Sequence, residues 1–451
     1  MKSRSMTPEI NPSASPLDTR QILRFWAPLS VTWLLMAVEG PFLAAVIARM
    51  ADPKYNLAAY GVAFAIALVV EAPIIMIMSA ATALVKNSQT YHILRRFTHA
   101  LNILITVTML IMVAPPVFEF LTLRLIGLPP EVARLTRFAC YILIPWPAAI
   151  GYRRFYQGIL IISNRTRRVA YGTMVRLLCM SGTAMGLFFL SSYDGVLVAA
   201  AALTMGVSGE ALAIRLMVGD SKRTLTMINR SGIPVPYLGL RRIARFYTPL
   251  ALMSILSLGV HPLVTFFVGW SPRALESLAV LPVINSLVFV FRALGLSYQE
   301  VAIALMSADQ ERYLRIRAVG SYILVGSTLG IGLITWTPLA DFWFQGVSGL
   351  TPELAAFSLL PAQIMTLLPA QAVWISLQRA ILVFREKTQP LSVATMIEMG
   401  GIGLVLYTCI FRLNINGAVA AAVSYGTGRF LANIYLHMHC RKTLHTLWDG
   451  K

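Results

Sequence analysis

The chain has 451 residues, of which 57% are hydrophobic and only 13% charged, with a mean hydropathy of +0.70. A soluble domain carries roughly 25% charged residues and single cores stop growing near roughly 250–300 residues, so this composition excludes a water-soluble globule and requires lipid as the solvent. The formal charge of +19 comes with no zinc-knuckle, RNP-like or basic-helix pattern, which argues against nucleic acid, and the four scattered cysteines form no CxxC pair, which argues against a disulfide frame or a zinc site.

Residues 1–22 are polar and Pro/Ser-rich and read as a cytoplasmic tail rather than a cleavable signal, because the apolar run that follows is too long for one. A span of a bilayer core about 30 Å thick needs about 20 residues. Apolar runs of that kind lie near 23–48, 57–85, 97–123, 132–161, 169–192 and 195–218. A polar stretch, 219–241, reads as a cytoplasmic linker, and the runs resume near 243–269, 275–306, 316–342, 352–383, 390–412 and 416–440. Pro145, Pro147 and Pro338 predict breaks in the runs that hold them. The organisation expected is therefore a tail (1–22), a six-helix bundle (23–218), the linker, a second six-helix bundle (242–440) and a tail (441–451).

Alternate connections differ in charge. One set is rich in basic residues, among them Lys86, Arg95, Arg96, Arg167, Arg168, Arg312, Arg315 and Arg317, while the other holds only Arg49, Lys54, Arg124, Arg134, Arg137, Arg273 and Arg412. The positive-inside rule then predicts a multi-pass protein of the cell (inner) membrane with both termini in the cytoplasm.

An internal repeat underlies the two bundles. Arg24-Phe25-Trp26-Ala27-Pro28-Leu29 recurs as Arg245-Phe246-Tyr247-Thr248-Pro249-Leu250, a shift of 221 residues, and the same shift carries Pro41 onto Pro262 and Leu57-Ala58 onto Leu278-Ala279. Further on the shift is 222: Gly158-Ile159-Leu160-Ile161 aligns with Ala380-Ile381-Leu382-Val383. Six runs per half give both halves the same starting orientation, so the repeat is parallel and its axis lies along the membrane normal. Two such bundles meet at a cleft, and rocking them exposes a midplane site to each side in turn.

Arg-Phe-Trp-Ala-Pro-Leu at the first helix, Leu57-Ala58-Ala59-Tyr60-Gly61-Val62-Ala63 at the second, and the six-plus-six plan resemble the MOP superfamily of transporters, which includes the multidrug and toxic compound extrusion (MATE) group and the polysaccharide and lipid II flippases. Within it the chain is most similar to the progressive ankylosis (ANK) type, through Leu57 to Ala63, Phe246 to Leu252, and His261-Pro262-Leu263-Val264 before Phe266-Phe267-Val268. The resemblance implies an all-α membrane fold of about twelve helices in two V-shaped bundles, with a cavity lined by the first, second, seventh and eighth. It implies export of organic or phosphate-bearing anions if ANK-like, or cationic drug/H+ or Na+ antiport if MATE-like. Where the ANK pattern has Arg before the proline of the seventh helix, this chain has His261.

Ionisable residues within apolar runs are the candidate site, because charge inside a bilayer is costly unless it faces a cavity or a partner. The first two helices offer Glu39 and Glu71; the seventh and eighth offer His261, Arg292 and Glu300. The 221-residue shift places Glu71 on Arg292, opposite charges at equivalent positions, and reads either as an ion pair across the axis or as a joint grip on a solute. Glu39 and His261 fall one residue apart in the repeat and are candidates to bind a coupling proton. Arg153, Arg154 and Arg379 supply guanidinium groups suited to carboxylate or phosphate. Arg176 reads as snorkelling to the interface, and Glu210, Glu276 and Glu398 carry no assigned role.

No GxxxxGK[ST], HExxH or GxSxG motif is present, so the reading is a secondary transporter rather than an enzyme or ATPase, with no cofactor beyond a coupling H+ or Na+. Its expected partners are the bilayer and a small solute, anionic or amphiphilic, and the protein is expected to act as a monomer. A lipid-linked precursor flippase and a membrane-embedded scaffold or enzyme stay open as alternatives.

Overall fold

The computed structural model describes residues 18–163, 165–190, 192–219, 239–307, 309–385, 387 and 389–448, and all regular structure among them is helical. Most of the N-terminal tail, nearly all of the 219–241 linker and the end of the C-terminal tail lie outside the described residues. The first half comprises α1 (Thr19–Ala48), α2 (Pro53–Glu71, continued by Ile77–Leu84), α3 (Ser88–Val113), α4 (Pro130–Ile142 and Pro145–Ile162), α5 (Thr166–Leu190) and α6 (Gly195–Met217). The second comprises α7 (Arg241–Gly269), α8 (Ala274–Leu305), α9 (Gln310–Thr335), α10 (Pro352–Phe384), α11 (Gln389–Arg412) and α12 (Gly417–Trp448).

Ten of these helices are long and apolar enough to cross a membrane. The other two, α4 and α12, are more polar because they carry Arg153 and Arg154, and Arg429 and Asn433. On the outside, Leu178, Leu216 and Leu404 are 72%, 74% and 68% exposed. Apolar exposure on that scale is tolerable only against hydrocarbon, so the chain is an integral multi-pass membrane protein.

Prolines set the breaks. Pro41 and Pro262 lack the N–H for a helical bond and clash with the carbonyl four residues back. Those positions are Ala37 and Leu258, where the first segments of α1 (Thr19–Ala37) and α7 (Leu240–Leu258) stop before resuming at Glu39 and Val260. Pro73 likewise ends the first segment of α2 just after Glu71. The apolar runs placed at 97–123 and 316–342 are offset from the helices. Both α3 and α9 begin earlier, under equivalent N-caps 222 residues apart: Asn87 Oδ1 accepts from Thr90 N at 2.9 Å, and the Asp309 carboxylate accepts from Glu311 N at 3.2 Å. Both end before prolines and are followed by π-helical turns, Phe120–Leu125 and Phe342–Val347. Those opening turns mix polar with apolar residues, which masks them in a hydropathy pattern.

The start of α1, the ends of α8, α10 and α12 and the start of α9 share one face, the terminal face: Ile22 packs with Tyr298, Val301 and Ile316, and Lys387 Nζ meets Thr443 Oγ1 at 3.4 Å. The opposite side is the loop face. Near it α2 and α8 pack directly, and a Cβ on Gly61 would lie 2.9 Å from Pro282 Cγ. These two residues are 221 apart, so the pseudo-twofold axis passes between them. Towards the terminal face the first segments of α1 and α7 cross over. Trp26 Nε1 of α1 donates to Ser297 Oγ of α8 at 2.9 Å, and Tyr247 OH of α7 donates to Pro73 O of α2 at 2.5 Å. Trp26 and Tyr247 are repeat equivalents, so each half clasps the other in the same manner.

Candidate translocation site

Beyond the Gly61–Pro282 contact, polar groups gather inside each half. In the first, the break in α1 leaves Glu39 at the start of its second segment, 7% exposed and paired with Arg176 of α5. On α4, Arg153 Nη1 meets Glu210 Oε2 of α6 at 2.8 Å, and Gln157 Nε2, one turn further on, donates to Glu210 Oε1 at 3.0 Å. Both oxygens of this fully buried carboxylate are thereby satisfied. Glu71, at the end of the first segment of α2, is buried, with its Oε2 unbonded; Arg153, Arg154 and Arg176 are its charged neighbours. Arg154 has Met78 Sδ at 4.0 Å, and its buried Nε has no hydrogen-bond partner. Glu39, Glu71 and Glu210 face Arg153, Arg154 and Arg176, so this cluster is neutral within itself.

The second half is not balanced. Glu398 of α11 pairs with Arg429 of α12 at 2.6 Å. Arg292 of α8 and Arg379 of α10 lie within electrostatic range of that pair and of each other, yet among the described residues neither forms an ion pair of its own, and the buried Arg292 Nε is unbonded. His261, at the break in α7, is exposed and lies within electrostatic range of Arg292. Glu300 is exposed near the terminal end of α8, beside Trp33 of α1. This cluster thus has three guanidinium groups and one carboxylate.

The expected Glu71–Arg292 pair does not form. Gly61 and Pro282 touch on the axis, but ten residues further along, about 15 Å at helical rise, Glu71 sits among the arginines of α4 and α5 while Arg292 sits among the charges of α10 to α12. Arg176 does not snorkel; it neutralises Glu39. Glu210 and Glu398, left without a role, are the carboxylates that hold Arg153 and Arg429. Arg429 and Gln157 escaped notice. One signal was within reach: the 222-residue shift places Arg176 on Glu398, a second charge reversal at equivalent positions.

No family model and no curated protein sequence matches the chain. Solved structures do. A multidrug resistance MATE family transporter of the MOP superfamily, in its inward-facing conformation, superposes with TM-score 0.72 at 15% identity, covering 93% of this chain and 96% of that one. The lipid II flippase MurJ in an inward closed conformation gives 0.69 at 15% identity over 93% and 90%. A Pyrococcus furiosus MOP superfamily transporter, described as having a binding pocket of reverse polarity that suggests a different function, gives 0.60 at 14% identity over 96% and 97%. The two six-helix halves of this chain therefore have the fold shared by MATE-type transporters of the MOP superfamily and the MurJ flippase.

Proposed function

We propose that the protein is a secondary transporter that moves an anionic or amphiphilic organic solute by alternating access of its two halves. The observation that carries the reading is that Arg292 and Arg379 of the second half have no ion-pair partner of their own among the described residues. Arginine in hydrocarbon is costly unless it faces a cavity or a partner, Glu398 is already occupied by Arg429, and a carboxylate- or phosphate-bearing solute in a cavity between the halves would give both guanidinium groups a partner. The similarity to the ANK branch points to the same class of solute and to export. The Pyrococcus furiosus neighbour lends support as a case in which this fold is described with a pocket of unusual polarity. The charge of the connections favours an orientation with the terminal face in the cytoplasm. Glu39, Glu71 and His261 are the candidates to carry a coupling proton or Na+.

The test is flux of labelled organic anions in proteoliposomes. Arg292→Ala and Arg379→Ala are expected to abolish it while the purified protein keeps its elution volume and melting point. Undiminished flux in both variants removes the assignment. Translocation of fluorescent lipid headgroups, with no anion flux, identifies the protein as a flippase instead.

A further inference from the structure

The loop face closes through two equivalent contacts between the halves. Arg49, just after α1, donates through Nη2 to Gly346 O at 2.6 Å and Val347 O at 3.0 Å, in the α9–α10 connection. Trp270, just after α7, donates through Nε1 to Leu125 O at 2.7 Å, in the α3–α4 connection. A shift of 221 carries Arg49 onto Trp270, and the shift of 222 that holds further along each half carries Leu125 onto Val347. Each donor comes from one half and each acceptor from the other.

The acceptors share one construction. Each is the end of a π-helical turn, Phe120–Leu125 or Phe342–Val347, closed by the same two backbone bonds: Ile126 N to Leu121 O and Leu128 N to Thr122 O in one, Ser348 N to Trp343 O and Leu350 N to Phe344 O in the other. A glycine in the left-handed region then turns the chain away, Gly127 at φ +75° and Gly349 at φ +73°. The last carbonyls of a helix have no intrahelical partner, and here they are left pointing past the turn. The opposite half satisfies them. Arg49 also places a cation at a helix C-terminus, where the dipole favours it. A Cβ on Gly349 would lie 2.8 Å from Arg49 Nη1, so the cradle admits the guanidinium only because glycine is there.

We propose that these two carbonyl cradles are a releasable latch that holds the loop face shut, and that the protein opens to that side by giving up both donors. Release is cheap because Arg49 and Trp270 are exposed, so water replaces each lost bond on both partners. Lys54 Nζ and Glu276 Oε1, 3.0 Å apart across α2 and α8, close the same face between the cradles. The latch rests on the alternating-access reading, but its geometry is independent of the solute.

Spin labels on the full chain test it, with the four native cysteines replaced and new ones introduced by Tyr193→Cys and Leu413→Cys. Both positions are exposed, on loop-face connections of opposite halves. Double electron–electron resonance reads their separation in lipid nanodiscs. Arg49→Ala and Trp270→Phe are each expected to raise the ratio of long to short separations roughly two- to tenfold, the factor carried by one net hydrogen bond. Gly349→Ala is expected to match Arg49→Ala although Arg49 is intact; should that variant not fold, Arg49→Lys, which keeps the charge but not the fork across two carbonyls, makes the comparison. Distances unchanged in both Arg49→Ala and Trp270→Phe overturn the latch, whatever the flux. A wild-type protein that moves no anion in proteoliposomes, while the variants open the loop face, overturns the transport reading and leaves the latch standing.

Discussion

Replacing Glu210 by Ala separates the structural charges from the functional ones. Glu210 is 0% exposed and the Arg153 side chain 9%, and the carboxylate accepts from Arg153 at 2.8 Å and from Gln157 at 3.0 Å. No other carboxylate is bonded to Arg153 among the described residues, and its Nε is already without a partner. Glu210→Ala therefore strands a buried guanidinium, a change that costs about 3–5 kcal/mol, and it adds an unsatisfied amide, worth about 1–3 kcal/mol more. Partial relaxation of Arg153 towards Glu71 offsets part of that sum. For a chain of this size a loss of several kcal/mol lowers the melting point on the order of 5 °C or more. The assay is thermal unfolding of detergent-purified protein followed by fluorescence-detected size exclusion. The double variant Arg153→Met/Glu210→Met, which removes both charges, is expected to recover most of the loss, because a buried pair and an apolar replacement are close in free energy. A melting point for Glu210→Ala within about 1 °C of wild type would refute the reasoning, since it would mean that Arg153 already reaches water.

Arg292→Ala is expected to do the opposite, leaving the melting point unchanged or raised while anion flux is lost, because it removes an uncompensated charge; a large drop in stability would show that Arg292 is structural. Gly61→Val adds a branched side chain where even a Cβ would lie only 2.9 Å from Pro282 Cγ, so it is expected to wedge α2 from α8 and raise cysteine accessibility from the loop face; unchanged accessibility counts against the axis contact. Trp26→Phe and Ser297→Ala remove the two ends of one 2.9 Å bond and are each expected to cost about 0.5–1.5 kcal/mol, with the double variant costing no more than the larger single loss in a thermal-unfolding cycle. Leu178→Asp, on a 72% exposed position, is expected to cost about 3 kcal/mol of membrane insertion, seen as a fall in the membrane-integrated fraction; unimpaired integration would move α5 off the lipid boundary.

The fold was largely legible because its signals are local. Twenty-residue apolar runs, proline positions and the Arg24/Arg245 repeat each need only a short stretch of sequence. The ion pairs were not, because Arg176 finds Glu39 across 137 residues and Arg429 finds Glu398 across 31, and the repeat that aligns Arg176 with Glu398 marks those positions without naming their partners. The ion pair between Glu71 and Arg292, one of the two readings of that match, is absent for a definable reason. A repeat shift establishes equivalence, and equivalent residues meet only where they lie on the axis, as Gly61 and Pro282 do. The loop-face cradles present backbone acceptors, which have no side-chain signature. Their trace in the sequence is the pair Gly127-Leu128-Pro129-Pro130 and Gly349-Leu350-Thr351-Pro352, a matched turn in each half.

Three carboxylates balance three guanidinium groups in the first half, whereas Glu398 alone faces Arg292, Arg379 and Arg429 in the second, which leaves a neutral lobe opposite a cationic one. An incoming anion would then settle off centre, held by α8 and α10, with the other lobe acting as a moving wall. Translocation would resemble a passenger seated in one half while the doors turn around it. Its departure would be governed by how readily Arg292 and Arg379 let go once that seat faces water.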